Sequence, residues 1–435
     1  LKVRSAGKSG ADADRGYKAE PSAAVRYPWH SVSPQKSESL ETGDIAIEAS
    51  APQGKPQKFD WISVVLQPLG GLLGVVVILV VMTVLGVATG GLFMLVGAVT
   101  GVFGILWGVV RYRKQKKEAG RQEQDNEEKY HEYLRQKEEE IRSSADAQLR
   151  VMNAAAPSAA VCAGMNERSS VLWSRSINDR NFLSLRVGSG SVDLLRRIRV
   201  PEKRYAEENA LTEEARSLAE KYRKIENAPI CCALRAANSL GIIGGRSAVV
   251  DQAIALVTEA AALHSYEDLK IVLLYPAAEA ELWRPARFLP HVFDNDREQR
   301  YMAENREQAD ALLKTVAKVM ERRQAAKSDY SFSADAVCYP HYLIVVADMS
   351  YLTGNSYGKM LCSGDDSLEV SCIFLANRMS QLPQQCHMIA ELTEDKAELY
   401  DKAHYNEAIR YRQETVTPEQ WKGFITALAP IRLEN

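Results

Sequence analysis

Apolar residues are concentrated in one block near the start of the chain. From Trp61 to Val110 the sequence has no Asp, Glu, Lys, Arg or His in 50 residues. One helix needs about 20 apolar residues to cross a bilayer, so this block is long enough for two crossings. The pattern predicts a transmembrane hairpin with helices over Leu69–Val87 and Leu92–Val110 and a tight turn at Ala88–Gly91. A helical hairpin buried in a protein core is the alternative, although core helices rarely stay apolar over such a length.

The charges beside this block predict its orientation. Five basic residues and no acidic residue lie between Arg111 and Lys117, and Lys55 and Lys58 flank the other end. Positively charged flanks stay on the cytoplasmic side, so both termini are expected in the cytoplasm of a multi-pass membrane protein. Residues 1–60, rich in Pro, Ser, Gly and Lys, are interpreted as an extended cytosolic lead-in without a core of its own.

Dense charge of both signs follows the apolar block. The stretch from Arg111 to Arg150 holds 11 basic and 10 acidic residues and no proline. It predicts a charged helical stalk over residues 111–160, ended near Pro157. The sparse apolar positions Tyr130, Leu134, Ile141 and Leu149 form a thin seam for a partner helix, and a solvated helix without a partner is the alternative.

Residues 161–435 alternate between strand and helix patterns. Strands are predicted over Phe182–Val187, Ile230–Leu234, Lys270–Tyr275, Tyr342–Ala347, Val370–Ala376 and His387–Leu392, and helices over Glu202–Glu226, Val249–His264, Glu304–Arg323 and Tyr351–Leu361. Several strand segments are apolar without alternation, as in parallel strands covered on both faces. The predicted fold class is therefore α/β, with the hairpin and stalk followed by a doubly wound sheet domain.

Charge and cysteine content argue against three kinds of protein. The chain has 54 basic and 56 acidic residues, a net charge of −2, whereas a dedicated nucleic-acid binder usually has a basic excess. The seven cysteines are sparse and include no CxxC pair, so neither a disulfide framework nor a structural zinc site is expected. They are interpreted as reduced thiols.

A glycine-rich segment precedes the helix predicted from Val249. The phosphate-binding loop GxxxxGK[ST] occupies this position in nucleotide-binding α/β domains, because its backbone N–H groups face the phosphates. In Leu240–Ser247, leucine stands where the first glycine belongs and Arg246 replaces the lysine, while Gly244, Gly245 and Ser247 fit. A tight turn from a strand into a helix is the alternative interpretation.

A second segment has the form of a Walker B strand. Leu343–Asp348 is an apolar run that ends in an acidic residue, which in ATPases supports magnesium. Met349 follows, where a hydrolysing enzyme usually has a glutamate, and methionine cannot act as a base. A helix-cap role for the aspartate is the alternative. Together the two segments predict a degenerate P-loop domain with a nucleotide site at Gly244, Gly245, Arg246, Ser247 and Asp348, no catalytic residue and no resident metal.

Several segments in order resemble one family. They are Leu172–Gly190, with its Leu-Trp-Ser-Arg start, Leu240–Ser247, His264–Lys270, Leu289–His291, Leu343–Asp348 and Leu382-Pro with Cys386. This combination is similar to the type VII secretion membrane ATPases of the EssC/EccC type, in the FtsK/SpoIIIE superfamily. The resemblance implies a cytoplasmic motor that is anchored in the plasma membrane and exports small helical WXG-type proteins. It also implies a degenerate ATPase-like domain beside the membrane and intact motor domains after it.

For this chain the resemblance implies a role in anchoring and assembly. It does not imply ATP hydrolysis, because the Walker lysine and the catalytic glutamate are both replaced. The implied partners are a lipid bilayer, other secretion-machinery subunits, further copies of the chain, and secreted helical substrates through downstream motor domains. DNA is not expected. The sequence leaves weak binding of ATP and magnesium open, and also whether the chain is an enzyme. An active FtsK-like DNA translocase and a membrane scaffold that binds only protein partners are the alternative functions.

Overall fold

The structure is a computed structural model of the full chain. It describes residues 29–31, 40–49, 74, 77, 80–81, 84–85, 90–200, 210–328, 340–365, 368–394 and 396–433. Within these residues the chain forms a mixed α/β fold around a ten-stranded sheet, and two further pairs of short strands lie outside that sheet.

Strands and helices alternate along much of the described chain. The strands are β1 (Trp29–His30), β2 (Ile45–Ala46), β3 (Ser184–Asp193), β4 (Ile198–Arg199), β5 (Lys224–Ala233), β6 (Ser239–Gly244), β7 (Leu269–Leu274), β8 (Met302–Ala303), β9 (His341–Val346), β10 (Val370–Ala376), β11 (Met388–Leu392), β12 (Ala397–Asp401), β13 (Ile409–Gln413) and β14 (Arg432–Leu433). The α-helices are α1 (Gly90–Ala155), α2 (Ala159–Ala163), α3 (Ala210–Lys221), α4 (Leu234–Ala237), α5 (Arg246–Leu263), α6 (Ala280–Trp283), α7 (Arg306–Ser328), α8 (Ser356–Leu361) and α9 (Pro418–Leu428). Several connections contain 3₁₀ helices, including Ala277–Glu279 and Met349–Leu352.

The large sheet has a parallel half and an antiparallel half. Its strand order is β5-β3-β13-β12-β11-β6-β10-β9-β7-β8. The six strands from β11 to β8 run parallel to one another, whereas β12, β13, β3 and β5 extend the sheet in antiparallel pairs. Ligands of parallel α/β sheets bind beyond the carboxyl ends of the strands, so the ends of β6, β7 and β9 mark the candidate site.

Helices cover both faces of the parallel half. All six residues of β7 are buried. Ile271 and Leu273 pack into one hydrophobic core with α5 and α9, while Val272 and Leu274 pack into a second core with α7. A strand enclosed in this way needs apolar residues on both faces, which explains the unbroken apolar runs of the sequence.

Six predicted strands are confirmed, as β3, β5, β7, β9, β10 and β11. The sequence did not predict β6, β12, β13 or α9. The helix predicted over Glu202–Glu226 is too long, because among the described residues only α3 is helical and the chain is already extended from Lys224. The helix predicted over Tyr351–Leu361 is divided between a 3₁₀ turn and α8.

The transmembrane hairpin is corrected by the helix that contains its second half. Most of Leu69–Val87 lies outside the described residues. Leu92–Val110 is not a separate helix, since it forms the start of α1, which continues through the charged stretch to Ala155. Gly90 and Gly91, assigned to the turn, are already helical. In the described part of the chain no helix has both the length and the apolar character needed to cross a membrane, so the predicted hairpin and multi-pass location are wrong.

The charged part of α1 packs on the body of the protein. Tyr130, Leu134 and Ile141, three of the four seam positions, are buried in a small core together with residues of α3 and β5. Ile45 of the lead-in fills the same core, and the Tyr130 hydroxyl donates to the Glu48 carbonyl oxygen at 2.9 Å. The seam therefore has partners within the same chain.

A second part of the lead-in reaches the far end of the sequence. β1 pairs in parallel with β14. His30 is buried, with Nε2 2.8 Å from the Leu172 carbonyl oxygen and its ring edge-to-face with Trp173. The described parts of the lead-in thus pack against other parts of the same chain.

Candidate functional site

The glycine-rich segment lies in a strand and not in a loop. β6 includes Leu240 through Gly244 and pairs with β10 on one side and β11 on the other. Helix α5 begins at Arg246, so Gly245 is the only residue between the strand and the helix. A phosphate-binding loop needs several backbone N–H groups between these two elements. A single residue leaves no length of chain for such a cradle.

Close packing accounts for the glycines of β6. A Cβ atom at Gly241 would lie 2.4 Å from the Leu382 Cδ1 atom. Gly244 has a φ of +149°, and a Cβ there would lie 2.3 Å from the Leu392 carbonyl oxygen. Both positions require glycine because neighbouring strands and loops approach the backbone closely. Glycines that serve packing therefore make this sequence resemble a phosphate-binding loop.

Arg246 is held by groups of the protein itself. Its Nε donates to the Glu279 carboxylate at 2.5 Å, and its Nη2 donates to the Ala347 carbonyl oxygen at 2.8 Å. The Glu279 carboxylate also accepts from the Trp283 indole N–H at 3.3 Å. The guanidinium charge at the position of the Walker lysine is therefore neutralised by a carboxylate of the next strand connection.

Asp348 lies at the same edge of the sheet. It follows Ala347 directly after β9, so Arg246 contacts the peptide carbonyl that precedes it. Its carboxylate accepts a hydrogen bond from the Ser350 backbone N–H at 2.9 Å and caps the 3₁₀ helix Met349–Leu352. Ser247 is exposed, and its hydroxyl lies 3.5 Å from the Asp251 carboxylate. The fold thus brings the five predicted residues to one edge, where Arg246 and Asp348 each have a structural partner.

Neighbouring loops close over this edge. Arg306 donates to the carbonyl oxygens of Ser350 and Thr353, and the Tyr351 hydroxyl donates to the Tyr275 carbonyl oxygen at 3.3 Å. A cavity of about 380 Å³ lies alongside, lined by the uncharged residues Met349, Ser350, Leu352, Thr353, Gln381, Leu382 and Pro383. It offers no cation for a phosphate group. Among the described residues, no group of three or more His, Cys, Asp or Glu side chains is arranged for a metal ion.

The amino-terminal edge of the sheet holds a constellation that the sequence did not indicate. His341 lies 2.9 Å from the Glu369 carboxylate through Nδ1 and 3.0 Å from the Ser371 hydroxyl through Nε2. This is the order of groups in a serine-hydrolase triad, but Ser371 is 0% exposed and its hydroxyl also contacts the Leu234 carbonyl oxygen. No substrate can reach that hydroxyl, so the network is structural. Only strand pairing unites the three residues, which is why spacing gave no signal.

A buried joint fixes the end of α1 to the sheet. Arg175 donates to the Ala155 carbonyl oxygen at 2.7 Å, and Arg186 donates to that of Ala156 at 2.9 Å. Arg186 also forms a 2.7 Å ion pair with Glu414 beyond β13. Carbonyl groups at a helix end lack intrahelical partners and carry partial negative charge, so two guanidinium groups stabilise this end. We call these five residues the helix joint.

Glu259 of α5 adds a titratable group to the joint. Its carboxylate accepts from the Arg186 backbone N–H at 2.7 Å, and its other oxygen has no partner. Burial raises the pKa of Glu259 to about 8, against the opposing effect of Arg175. A carboxyl group whose charge depends on pH near neutrality therefore lies in contact with the helix joint.

Comparison with known proteins identifies relatives of one kind. No protein-family model matches the chain. The ESX secretion system protein EccC of Geobacillus thermodenitrificans is 22% identical over 376 residues, which are 85% of this chain and 24% of that protein. The type VII secretion system protein EssC of Staphylococcus aureus (strain NCTC 8325 / PS 47) is 23% identical over 355 residues, 81% of this chain and 24% of that protein. The resemblance is confirmed in part, as homology at low identity over the ATPase-like region, and the membrane-anchor portion is not confirmed. The chain spans about a quarter of the length of these relatives.

Solved structures of the same kind also align in part. The cytoplasmic domain of the Thermomonospora curvata type VII secretion ATPase EccC superposes with a TM-score of 0.41 at 14% identity, covering 63% of this chain and 34% of that chain. ATPases 2 and 3 of that EccC, in complex with a signal sequence peptide, give a TM-score of 0.39 at 13% identity, covering 61% and 50%.

Proposed function

We propose that this chain is a non-hydrolysing part of a type VII secretion motor, which supports assembly while other domains drive export. Its premise is the homology with EccC and EssC. The observation that carries the proposal is the bonding of Arg246, which the Glu279 carboxylate and the Ala347 carbonyl oxygen hold at 2.5 and 2.8 Å. A phosphate-binding cation must be free to meet the nucleotide, and this one already has two partners.

The free energy of these bonds disfavours nucleotide binding. A hydrogen bond to a charged group contributes about 1.5–3 kcal/mol, and the lower end applies here because the Arg246 side chain is 36% exposed. A nucleotide would have to displace both bonds and would find a single residue, Gly245, where a phosphate loop belongs. Met349 follows Asp348 at the position where a hydrolysing enzyme usually has the glutamate that orients water. These features support the proposal that the domain keeps the shape of an ATPase but does not hydrolyse ATP.

The helix joint supports a role in which a movement of α1 is transmitted to the sheet. α1 is 66 residues long, and its carboxyl end is bound to the sheet by Arg175 and Arg186. Its charged part packs on α3 and β5 through a separate core. With two attachments of this kind, the helix and the sheet would move as one body. We infer that the chain joins other secretion-machinery subunits and further copies of itself through this rigid unit, and that helical secreted substrates meet downstream motor domains.

ATP turnover by the purified full chain tests the proposal. The matched variant is Asp348→Asn, which keeps an oxygen that can accept from the Ser350 N–H but removes the charge that magnesium needs. We expect no turnover above background in either protein. We also expect no change in melting temperature with ATP and magnesium, because a ligand that binds only the native state must stabilise it. Turnover in the wild-type chain that disappears in Asp348→Asn would refute the non-hydrolysing role.

A further inference from the structure

Two thiols lie in contact on the face of the sheet that α7 and α8 cover. Cys362 caps the carboxyl end of α8, and Cys372 lies within β10. The Cys372 thiol donates a hydrogen bond to the Cys362 sulfur, with the two sulfur atoms 3.8 Å apart. The sulfurs of a disulfide are about 2 Å apart, so a shift of about 2 Å would bring this pair to bonding distance.

The two cysteines differ in access and in freedom to move. Cys372 is 2% exposed, and its strand is paired with β6 and β9 on its two sides. Cys362 is partly exposed and ends a helix of six residues, followed by the exposed residues Ser363 and Gly364. Cys362 can therefore meet a reagent from solvent and move toward the sheet, while Cys372 stays in place as a second thiol.

We propose that Cys362 and Cys372 form a reversible disulfide when the protein meets a low-molecular-weight disulfide oxidant. In the first step the Cys362 thiolate attacks one sulfur of the oxidant, and the other half of the oxidant leaves as a thiol. In the second step the Cys372 thiolate attacks the Cys362 sulfur of this mixed disulfide, and the second half leaves as a thiol. Two electrons pass to the oxidant, and the two protein thiol protons end on the released thiols.

The new bond would fix a surface segment to the sheet. The segment begins at the 3₁₀ helix capped by Asp348 and ends at Cys362, so the bond would tie α8 and the connection after β9 to β10. Closing a loop by a disulfide reduces the freedom of the unfolded chain, and the oxidised protein should melt at a higher temperature. This inference does not depend on the proposed function.

The rate should depend on pH. The hydrogen bond with Cys362 and burial together raise the pKa of Cys372 well above its usual value. Only the thiolate attacks, so the second step should be slow near neutrality and faster in alkaline solution. A slow second step lets the mixed disulfide on Cys362 accumulate first, which separates the two steps in time.

Mass mapping of the reduced full chain treated with oxidised glutathione tests the proposal. We expect the peptides of Cys362 and Cys372 to become linked with the loss of two hydrogens, reversibly with dithiothreitol, and more than about threefold faster at about pH 8.5 than at about pH 7. In Cys372→Ser, Cys362 should stop at the glutathione adduct. In Cys362→Ser, which changes the more exposed partner and is the safer variant for folding, Cys372 should stay unmodified.

Cys386→Ser is the matched control, because that thiol is buried in the same core and donates to the Met388 carbonyl oxygen at 3.6 Å. This variant should still form the link, and circular dichroism should show that all variants are folded. The proposal is overturned if wild-type Cys362 remains a glutathione adduct at both pH values. It is also overturned if the bond joins either residue to another cysteine, including Cys338, which lies outside the described residues.

Discussion

Arg246 donates a hydrogen bond to the Ala347 carbonyl oxygen at 2.8 Å and thereby connects the first turn of α5 with the end of β9. In the sequence these residues belong to two segments that resemble nucleotide-binding signatures, and the fold brings both segments to one edge. The cation of the first signature bonds to the backbone of the second instead of facing an open space. This hydrogen bond therefore helps to hold α5 and β9 together at the edge of the sheet.

Replacing Glu279 by glutamine should measure the energy of this arrangement. The change removes the charge of the Arg246 partner while keeping its shape, and we expect a loss of about 1 kcal/mol in the free energy of unfolding. Urea titration measures it. The control is Glu281→Gln, an exposed neighbour on α6 that should change stability by less than about 0.5 kcal/mol. Equal effects of the two variants would mean that Arg246 gains nothing from its partner.

Replacing Gly244 by alanine should show that this glycine serves packing. The added Cβ would lie 2.3 Å from the Leu392 carbonyl oxygen at a positive φ, so we expect a loss of at least about 2 kcal/mol without any nucleotide present. Gly423→Ala is the control, because Gly423 is exposed in α9 and no atom lies within 4 Å of its added Cβ. That change should stabilise the protein by about 0.5–1 kcal/mol, since alanine favours a helix. A stable Gly244→Ala protein would contradict the packing explanation.

Removing Arg186 should damage the helix joint. Arg186→Leu leaves Glu414 without its buried partner and the Ala156 carbonyl oxygen without its donor, so we expect a loss of about 3 kcal/mol or more. Arg223→Leu is the control, because its pair with Glu220 is long and exposed and should contribute almost nothing. Chemical unfolding compares the two. Similar small losses in both would show that the joint does not hold the helix.

Buried histidines should make the protein sensitive to mild acid. Burial lowers the pKa of His291 to about 4, and it also lowers those of His264 and His341. Each folded-state pKa lies below the unfolded value near 6.5, so the unfolded state binds more protons as the pH falls below that value. The stability that these histidines contribute should therefore be retained above about pH 6.5 and decrease below it, with a limiting slope near 1.4 kcal/mol per pH unit for each histidine.

Unfolding measured between about pH 7.5 and 5 tests the histidine effect. His291→Gln should have a shallower decline, because one of the three groups no longer titrates. His404→Gln changes an exposed histidine and should leave the slope as in the wild-type chain. If the slope of His291→Gln matches that of the wild-type protein, His291 does not contribute in this range.

Glu259 should have the opposite dependence on pH. Its folded-state pKa of about 8 lies above the unfolded value near 4.5, so the native state holds the proton longer and stability falls as the pH rises between these values. Glu259→Gln has no charge to bury and should gain stability relative to the wild-type chain from about pH 6 to about pH 8. Glu220→Gln, at an exposed position, should show no such gain. A constant difference between Glu259→Gln and wild type would refute the raised pKa.

The strongest local sequence patterns predicted most strands of the large sheet. The runs that became β7 and β9 are apolar on both faces, and only a strand covered by helices on two sides needs that composition. By contrast β6 contains two glycines that local rules assign to a loop. Its strand character depends on pairing with β10 and β11, and its glycines depend on the approach of Leu382 and Leu392. A pattern along one segment contains no information about such neighbours.

The apolar block near the start shows that local composition is also insufficient to predict where a helix is interrupted. Composition predicted two helices and a turn, whereas among the described residues Leu92–Val110 continues into the charged part of one helix, α1. Small residues such as Gly90 permit a reversal but do not require one, because glycine also fits within a helix. The helix ends only where Pro157 follows, which the sequence did indicate.

The sequence by itself determined the α/β alternation, the buried central strands and the likeness to secretion ATPases, because these depend on residue types in continuous segments. Only the tertiary structure decided how the charged groups are used. Glu279 lies 33 residues from Arg246, and Glu414 lies 228 residues from Arg186, yet each pair is in contact. Long-range electrostatic partners are chosen by the packing of strands and helices, and a linear pattern cannot specify them.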